Sequence, residues 1–209
     1  MLVNEMFLSI QGEGRTMGLP TVFVRLSGCN LDCRWCDTRY AEEGGSEMSV
    51  EEVLEGVNGY RTRHVCLTGG EPLWHDGVPE LISRLLEEGK QVSLETNGSL
   101  SIAGLPDHPG LMISMDHKCP SSGMEGRMLL ENLRLLRPKD QLKFVVADQE
   151  DLEMAEDVLR KFEPDCPAIF TPVGGLTLGP VVEFVLKHKL EVRVLPQLHK
   201  LIWGERRGV

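Results

Sequence analysis

Three of the six cysteines lie within eight residues, at Cys29, Cys33 and Cys36, in the spacing C-x3-C-x2-C. Three thiolates this close can bind three irons of one cubane cluster and leave the fourth iron without a protein ligand. Electron-carrying clusters use four cysteines, and a structural zinc site also takes four ligands. The incomplete set therefore predicts an iron–sulfur cluster whose open iron binds a further molecule. The alternative is a zinc site completed by His64 or His75, although neither has a zinc-finger spacing.

Other unusual segments follow predicted strands, where a parallel sheet places its chemistry. They are residues 68–72 (TGGEP), 95–98 (ETNG) and 114–116 (SMD). Any one of them is also ordinary turn chemistry for glycine, asparagine and proline. Because several such ends come from neighbouring strands, we expect them to meet at one site.

The elements that position these residues alternate in type along the chain. Apolar runs predict strands over 21–26, 64–68, 91–96, 111–115, 142–146, 168–171 and 192–195. Amphipathic stretches predict helices over 49–57, 79–88, 125–136, 149–162 and 178–189. Ser49 and Glu52 form a capping box at the first of these helices. The alternation predicts an α/β fold with a parallel sheet that is covered on both faces.

Composition limits the class of protein. The 209 residues carry a formal net charge of −10 and no apolar run near the length of a membrane span. We therefore expect one domain over residues 1–209, with no membrane or nucleic-acid partner, since phosphate binding needs a basic surface. The N-terminus shows no secretion signal, so a cytoplasmic location is expected. Cys66, Cys119 and Cys166 are isolated and are expected to be buried, neutral thiols.

The cysteine motif, with the aromatic Trp35 before its last cysteine, resembles the radical S-adenosylmethionine superfamily. The Gly-Gly-Glu stretch at residues 69–71, at the end of the second core strand, adds to the resemblance. The resemblance implies a [4Fe-4S] cluster on Cys29, Cys33 and Cys36, with S-adenosylmethionine chelating the open iron. It also implies a partial TIM barrel of the incomplete (β/α)6 type, with parallel strands.

Further motifs resemble the 7-carboxy-7-deazaguanine synthase family over residues 7–200. They are SIQGEG at 9–14, Arg25, Cys-Asp-Thr at 36–38, ETNG at 95–98 and QLHK at 197–200. The family converts 6-carboxy-5,6,7,8-tetrahydropterin to 7-carboxy-7-deazaguanine with loss of ammonia, a step of 7-deazapurine (queuosine-type) biosynthesis. The resemblance further implies Mg2+, an electron donor such as flavodoxin or ferredoxin, and a homodimer.

The resemblance also assigns candidate roles. The S-adenosylmethionine contacts are Trp35, Asp37, Gly70, Glu95, Ser114, Asp116, Lys143, Thr171, Pro172, Val173 and Gly174. The substrate contacts are Ile10, Gln11, Gly12, Glu13, Arg25, Thr68 and His199, and Thr38 is the Mg2+ ligand. Plain structural interpretations stay open for several of them: a turn at residues 11–14, a buried ion pair for Arg25 and a core position for His199.

Two departures from the family pattern stand out. Residues 114–118 read SMDHK where some members have Ser-Pro-Lys, so either Asp116 or Lys118 faces the cofactor. Some members end shortly after His-Lys and present their terminal carboxylate to the substrate, whereas this chain continues to Val209. The rival functions are a glycyl-radical enzyme activase, which has the same cysteine spacing, and a non-enzymatic metal protein.

Overall fold

The computed structural model describes all residues, 1–209, and its centre is one nine-stranded sheet. The strands are β1 (Leu2–Ile10), β2 (Pro20–Leu26), β3 (Ser46–Glu47), β4 (His64–Gly69), β5 (Gln91–Thr96), β6 (Leu111–His117), β7 (Gln141–Val146), β8 (Ala168–Pro172) and β9 (Arg193–Val194). Their order in the sheet is β3-β1-β2-β4-β5-β6-β7-β8-β9. The sheet keeps two free edges, so it does not close into a barrel.

Strand direction divides the sheet into two parts. From β2 through β4 to β9 every neighbouring pair is parallel, with Arg25 of β2 opposite Thr68 of β4. This is the predicted incomplete (β/α)6-type arrangement, which is confirmed. The sequence analysis did not predict β1, which pairs antiparallel with β2 and adds a hairpin to the parallel sheet.

Five α-helices accompany the strands. They are α1 (Val50–Asn58), α2 (Val78–Glu87), α3 (Gln149–Phe162), α4 (Gly179–His188) and α5 (Leu198–Trp203). The predicted capping box is present at α1, where Glu52 N donates to Ser49 Oγ and Ser49 N donates to Glu52. None of the helices combines the length and hydrophobicity required to cross a bilayer.

The helices cover the sheet with two apolar clusters. One packs α1 and α2 on β2, β4 and β5, and Val22, Leu67 and Leu85 are fully buried in it. The other packs α3 and α4 on β7 and β8, around Phe144 and Phe170. The helices α1 to α4 therefore bury their apolar stripes against the sheet and leave the carboxyl ends of the strands free for other contacts, whereas α5 has no buried residue.

The predicted helix over 125–136 is wrong. Two 3₁₀ turns, Glu125–Arg127 and Leu130–Arg134, occupy this segment, and the backbone between them is extended. Asn132 is fully buried and donates to the carbonyl oxygens of Gly98 and Leu100, while its own oxygen accepts from Ile102 N. These tertiary hydrogen bonds outweigh the apolar periodicity, because an asparagine side chain competes for backbone partners.

We expect Asn132→Ala to destabilise the protein. The substitution removes three hydrogen bonds and leaves buried backbone groups unpaired, at a cost of about 2–4 kcal/mol. Chemical denaturation of this variant measures the loss. The control is Asn58→Ala, which removes one exposed bond to Glu88 and is expected to change the free energy of unfolding by less than about 0.5 kcal/mol. Equal effects of the two substitutions would contradict this role of Asn132.

Candidate active site

A cavity of about 440 Å³ opens at the carboxyl ends of the parallel strands. Distant parts of the chain meet there: the loops after β1, β2 and β4, the strands β5 to β7, and the C-terminal tail. The predicted site residues that line it are Ile10, Gln11, Gly12, Glu13, Arg25, Cys29, Cys33, Trp35, Cys36, Asp37, Thr38, Thr68, Gly70, Glu95, Asp116, Lys143, Val173, Gly174 and His199.

Three predicted S-adenosylmethionine contacts do not line the cavity, namely Ser114, Thr171 and Pro172. Ser114 is fully buried within β6, and its hydroxyl accepts a hydrogen bond from Gln141 Nε2 at 2.7 Å. Thr171 and Pro172 are buried at the end of β8. The structure brings Val173 and Gly174, the residues that follow β8, to the cavity wall instead.

The three cysteines lie as free thiols on the loop that follows β2. Asn97 Nδ2 donates to Cys29 Sγ at 3.7 Å, and Cys36 Sγ lies 3.7 Å from Thr38 Oγ1. Burial raises the pKa of Cys33 to about 11, with smaller contributions from Cys36 and Cys29. The thiols therefore lie close enough to influence one another.

The cysteine loop fits a cluster better than a zinc ion. No group of three or more His, Cys, Asp or Glu side chains converges on a point that could hold one metal ion. A cubane places each cysteine on a different iron, whereas structural zinc gathers four ligands around one centre. His64 begins β4 at the opposite end of that strand, and His75 Nε2 contacts the carbonyl oxygen of Ser27 at 2.8 Å. Neither histidine completes a fourth position.

The Gly-Gly-Glu stretch fixes the cysteine loop to the sheet. Gly70 lies so close to the loop that a Cβ there would be 1.8 Å from the carbonyl oxygen of Gly28. Glu71 is fully buried and accepts hydrogen bonds from Thr96 Oγ1, Asn97 N and Leu73 N. Burial raises the pKa of Glu71, and these three bonds oppose that effect. This glutamate therefore ties the end of β4 to the end of β5.

The buried Lys143 connects two parts of the cavity lining, the loop after β1 and the end of β5. Lys143 Nζ donates to Glu13 Oε2 at 2.7 Å and to Glu95 Oε2 at 2.9 Å. Gln197 Nε2 donates to the other Glu13 oxygen at 2.7 Å. Burial alone raises the pKa of Glu13, but Lys143 and Gln197 outweigh it and lower this pKa to about 2. Glu13 is consequently ionised throughout the physiological pH range.

Arg25 takes part in an ion pair and still faces the cavity. Its Nε donates to Glu5 Oε1 at 2.7 Å, and Tyr40 OH donates to the same oxygen at 2.9 Å. The terminal nitrogens of the guanidinium have no hydrogen-bond partner in the protein. The ion pair thus orients the side chain and leaves a two-nitrogen fork suited to a carboxylate.

Asp116 and Lys118, the two candidate cofactor contacts in the SMDHK segment, both line the cavity. Lys118 Nζ donates to Asp116 Oδ2 at 2.8 Å and lies 5.3 Å from the centre of the Trp35 ring. Trp35 Nε1 in turn donates to Ser121 Oγ at 2.9 Å. The lysine and the aspartate therefore form an ion pair beside the cysteine loop, and which of them contacts the cofactor stays a prediction.

The sequence analysis missed part of the cavity wall. Tyr40, Gln197 and Lys200 line it, as does the tail from Gly204 to Val209. Arg207 lies over the Tyr40 ring, 4.0 Å from its centre, and this contact lays the tail against the cysteine loop. The QLHK motif was a signal for Gln197 and Lys200, whereas no motif marks the tail.

Comparisons with known proteins agree with this geometry. Residues 23–112 match the family model described as the Radical SAM superfamily. The structure aligns with that of QueE from Escherichia coli at a TM-score of 0.75 and 28% identity, over 95% of this chain and 94% of that one. The fold also matches Streptococcus suis SuiB bound to S-adenosylmethionine, with a TM-score of 0.58 at 12% identity over 82% of this chain and 51% of that one. The fold and the cysteine site define a radical S-adenosylmethionine enzyme, a class that uses a [4Fe-4S] cluster and S-adenosylmethionine.

Two relatives specify the family. A 7-carboxy-7-deazaguanine synthase from Thermoplasma acidophilum is 40% identical over the whole of both chains. One from Methanospirillum hungatei is 42% identical over 97% of this chain and 85% of that protein. The chain belongs to the 7-carboxy-7-deazaguanine synthase family.

We expect Glu71→Gln to loosen the end of β4. Glutamine keeps one acceptor oxygen and replaces the other with an NH2 group, so it loses either the bond from Asn97 N or the bonds from Thr96 Oγ1 and Leu73 N. About 2–3 kcal/mol of stability is lost as a result. Thermal unfolding of the protein before cluster assembly measures this loss. Glu87→Gln, at an exposed position of α2, is the control and is expected to leave the melting temperature unchanged. A melting temperature for Glu71→Gln equal to that of the control would contradict the assignment.

Proposed function

We propose that this chain converts 6-carboxy-5,6,7,8-tetrahydropterin to 7-carboxy-7-deazaguanine and ammonia. The product and ammonia together contain all the atoms of the substrate, so the reaction needs no net oxidant. The observation that carries the proposal is one cavity lined both by the cysteine loop, here called the cysteine wall, and by the Gln11-Gly12-Glu13 loop, here called the pterin wall. The full-length relatives of the same family support the substrate.

The cysteine wall binds the cluster and S-adenosylmethionine. Cys29, Cys33 and Cys36 hold the cluster, which together with S-adenosylmethionine supplies the radical chemistry that removes a hydrogen atom from the substrate. Glu95 Oε1 and Asp116 Oδ1 are buried oxygens without a hydrogen-bond partner in the protein. Hydroxyl and ammonium groups of the nucleotide are the donors that these oxygens lack.

The remaining cofactor contacts frame the same wall of the cavity. Gly70 lines the cavity where its backbone packs against Gly28, while Trp35 and Asp37 flank the last cysteine. Val173 and Gly174 frame the adenine with backbone groups.

The pterin wall binds the substrate. Glu13 faces the guanidine-like edge of the pterin, because a carboxylate and two adjacent N–H groups form paired hydrogen bonds. Arg25 binds the substrate carboxylate with its free fork. His199 packs directly over Gly12, where a Cβ would lie 2.2 Å from its Nδ1. Thr68 contributes its hydroxyl from the end of β4.

Mg2+ binding is assigned to Thr38. This residue lies in the cavity wall two residues after Cys36. A hydroxyl, substrate oxygens and water form the oxygen ligand set that Mg2+ prefers. Thr38 would therefore hold the ion together with substrate oxygens and water, without an all-protein cage.

The proposed partners are an electron donor such as flavodoxin or ferredoxin and a second copy of the chain in a homodimer. A glycyl-radical enzyme activase is not favoured, because the relatives that match the full chain are small-molecule synthases. The polar substrate wall around Glu13 and Arg25 also suits a small charged molecule better than a protein loop.

The function is tested with anaerobically reconstituted protein, a chemical reductant, Mg2+ and the tetrahydropterin. We expect 7-carboxy-7-deazaguanine and equimolar ammonia, measured by chromatography and mass spectrometry. Cys33→Ala is expected to bind less iron and to give neither product formation nor S-adenosylmethionine cleavage. Wild-type protein that cleaves S-adenosylmethionine but leaves the pterin unchanged would contradict the proposed substrate.

We expect Thr38→Val to raise the Mg2+ concentration required for half-maximal turnover by at least about tenfold, which corresponds to the loss of one ligand worth about 1.4 kcal/mol. The substitution keeps the shape of the side chain and removes only the hydroxyl. Thr38→Ser keeps the hydroxyl and is expected to retain the Mg2+ dependence of the wild type. If all three proteins share one Mg2+ dependence, Thr38 is not a ligand.

A further inference from the structure

Lys143 lies in the middle of β7 and is 5% exposed. Sequence resemblance made it a candidate for the carboxylate of S-adenosylmethionine, but its ammonium already has two carboxylate partners in the protein. Those partners belong to different walls of the cavity: Glu13 to the proposed pterin wall and Glu95 to the cofactor wall. The lysine therefore connects the two binding regions directly.

The hydrogen bonds at Glu13 fix the plane of its carboxylate. Lys143 occupies one lone pair of Oε2, and Gln197 occupies one lone pair of Oε1. An ionised carboxylate offers about four lone-pair sites, so one site on each oxygen remains for the paired N–H groups of a ligand. The substrate contact is thus complete only if the carboxylate stays ionised and does not rotate.

The charges explain why an ammonium is needed at this position. Glu13 and Glu95 are two partly buried carboxylates, with side chains 22% and 17% exposed, that share one cation. Burial raises the pKa of Glu95 despite the influence of Lys143. Two neighbouring carboxylates without a cation cannot both stay ionised. A neutral side chain at position 143 would therefore raise the pKa of both carboxylates.

We propose that Lys143 is a positioning residue: it holds Glu13 ionised and oriented for the pterin while it bonds Glu95 of the cofactor wall, so that the two walls keep a fixed separation. This proposal rests on the proposed function, because it takes the pterin as the ligand of Glu13. It assigns Lys143 no contact with the substrate or with the reacting atoms.

Other titratable or charged groups surround this pair and enter any pH dependence. They are His199 on α5, Asp116 and Lys118 at the end of β6, and Cys66 on β4. His199 acts on Glu13 less than Lys143 does, and Asp116 already pairs with Lys118. Substitution of Lys143 should therefore affect Glu13 and Glu95 first.

The test is equilibrium dialysis of 6-carboxypterin, the oxidised analogue of the substrate, against the reconstituted protein with S-adenosylmethionine bound. We expect wild-type affinity to be nearly constant between about pH 5.5 and 7, because Glu13 stays ionised throughout this range. Lys143→Met is expected to bind about tenfold more weakly at pH 7 and to lose up to about a further tenfold per pH unit below that. A purely structural role for Lys143 would weaken binding equally at every pH.

Two variants separate the proposal from general damage. Lys143→Arg keeps the cation and is expected to restore the flat pH dependence, within about threefold of the wild-type affinity at pH 7. Lys139→Met removes an ammonium outside the cavity, one that donates to the carbonyl oxygen of Leu111, and is expected to leave the pH dependence of pterin binding flat. The proposal is overturned if Lys143→Met binds with a flat pH dependence, or if Lys139→Met acquires the same slope.

The outcome also distinguishes this proposal from the function on which it rests. Wild-type protein that neither binds the analogue nor converts the tetrahydropterin contradicts both. Wild-type protein that binds and converts the pterin, with a pH-independent Lys143→Met variant, contradicts the positioning role alone.

Discussion

The backbone of Gly70 lies against the carbonyl oxygen of Gly28, and no side chain fits between them. This contact brings the cysteine loop onto the end of β4. The peptide N–H groups of Gly70 and Glu71 donate to the carbonyl oxygens of Leu26 and Gly28, so the loop is bound as tightly as a strand. A cluster held by only three cysteines needs such a rigid support, because the fourth iron must keep an open and defined direction.

Charge pairing inside the cavity is the second constraint. The chain is acidic overall, yet two lysines are buried in this site. Lys118 pairs with Asp116 beside the cysteine loop, and Lys143 pairs with two glutamates between the walls. Buried charges persist only when they are paired and hydrogen-bonded, so each lysine depends on its carboxylate partners. The site thereby presents fixed carboxylate oxygens to the cavity.

The sequence was most informative where local chemistry decides the structure. The parallel strands, the capping box of α1 and the cysteine spacing each depend on residues close together in the chain. The segment around Asn132 could not be predicted from local sequence. It has helical periodicity, but the Asn132 side chain forms hydrogen bonds with a loop some 30 residues away. The contact between Lys143 and Glu13 could not be predicted from local sequence either. The two residues are 130 positions apart, and no periodic pattern in the sequence indicates that they pair.

The C-terminal tail and β1 were also beyond local reasoning. The tail carries no catalytic motif, and its position follows from the stacking of Arg207 on Tyr40, two residues that only the fold brings together. β1 alternates apolar and polar residues weakly, and it becomes a strand because β2 offers it an antiparallel partner. Pairing with a neighbouring strand outweighs the intrinsic β-propensity of the residues. Such strands can therefore be predicted only when the position of the neighbouring strand is known.

Three cysteines leave one iron of the cluster free to bind S-adenosylmethionine inside this cavity. Electron–nuclear double resonance of the reduced, reconstituted protein can detect this bond, with oxygen-17 in the carboxylate and nitrogen-15 in the amino group of the methionine moiety. We expect hyperfine coupling of both nuclei to the cluster in the wild-type protein. Coupling to neither nucleus, in protein that holds four irons per chain and binds the nucleotide, would contradict it.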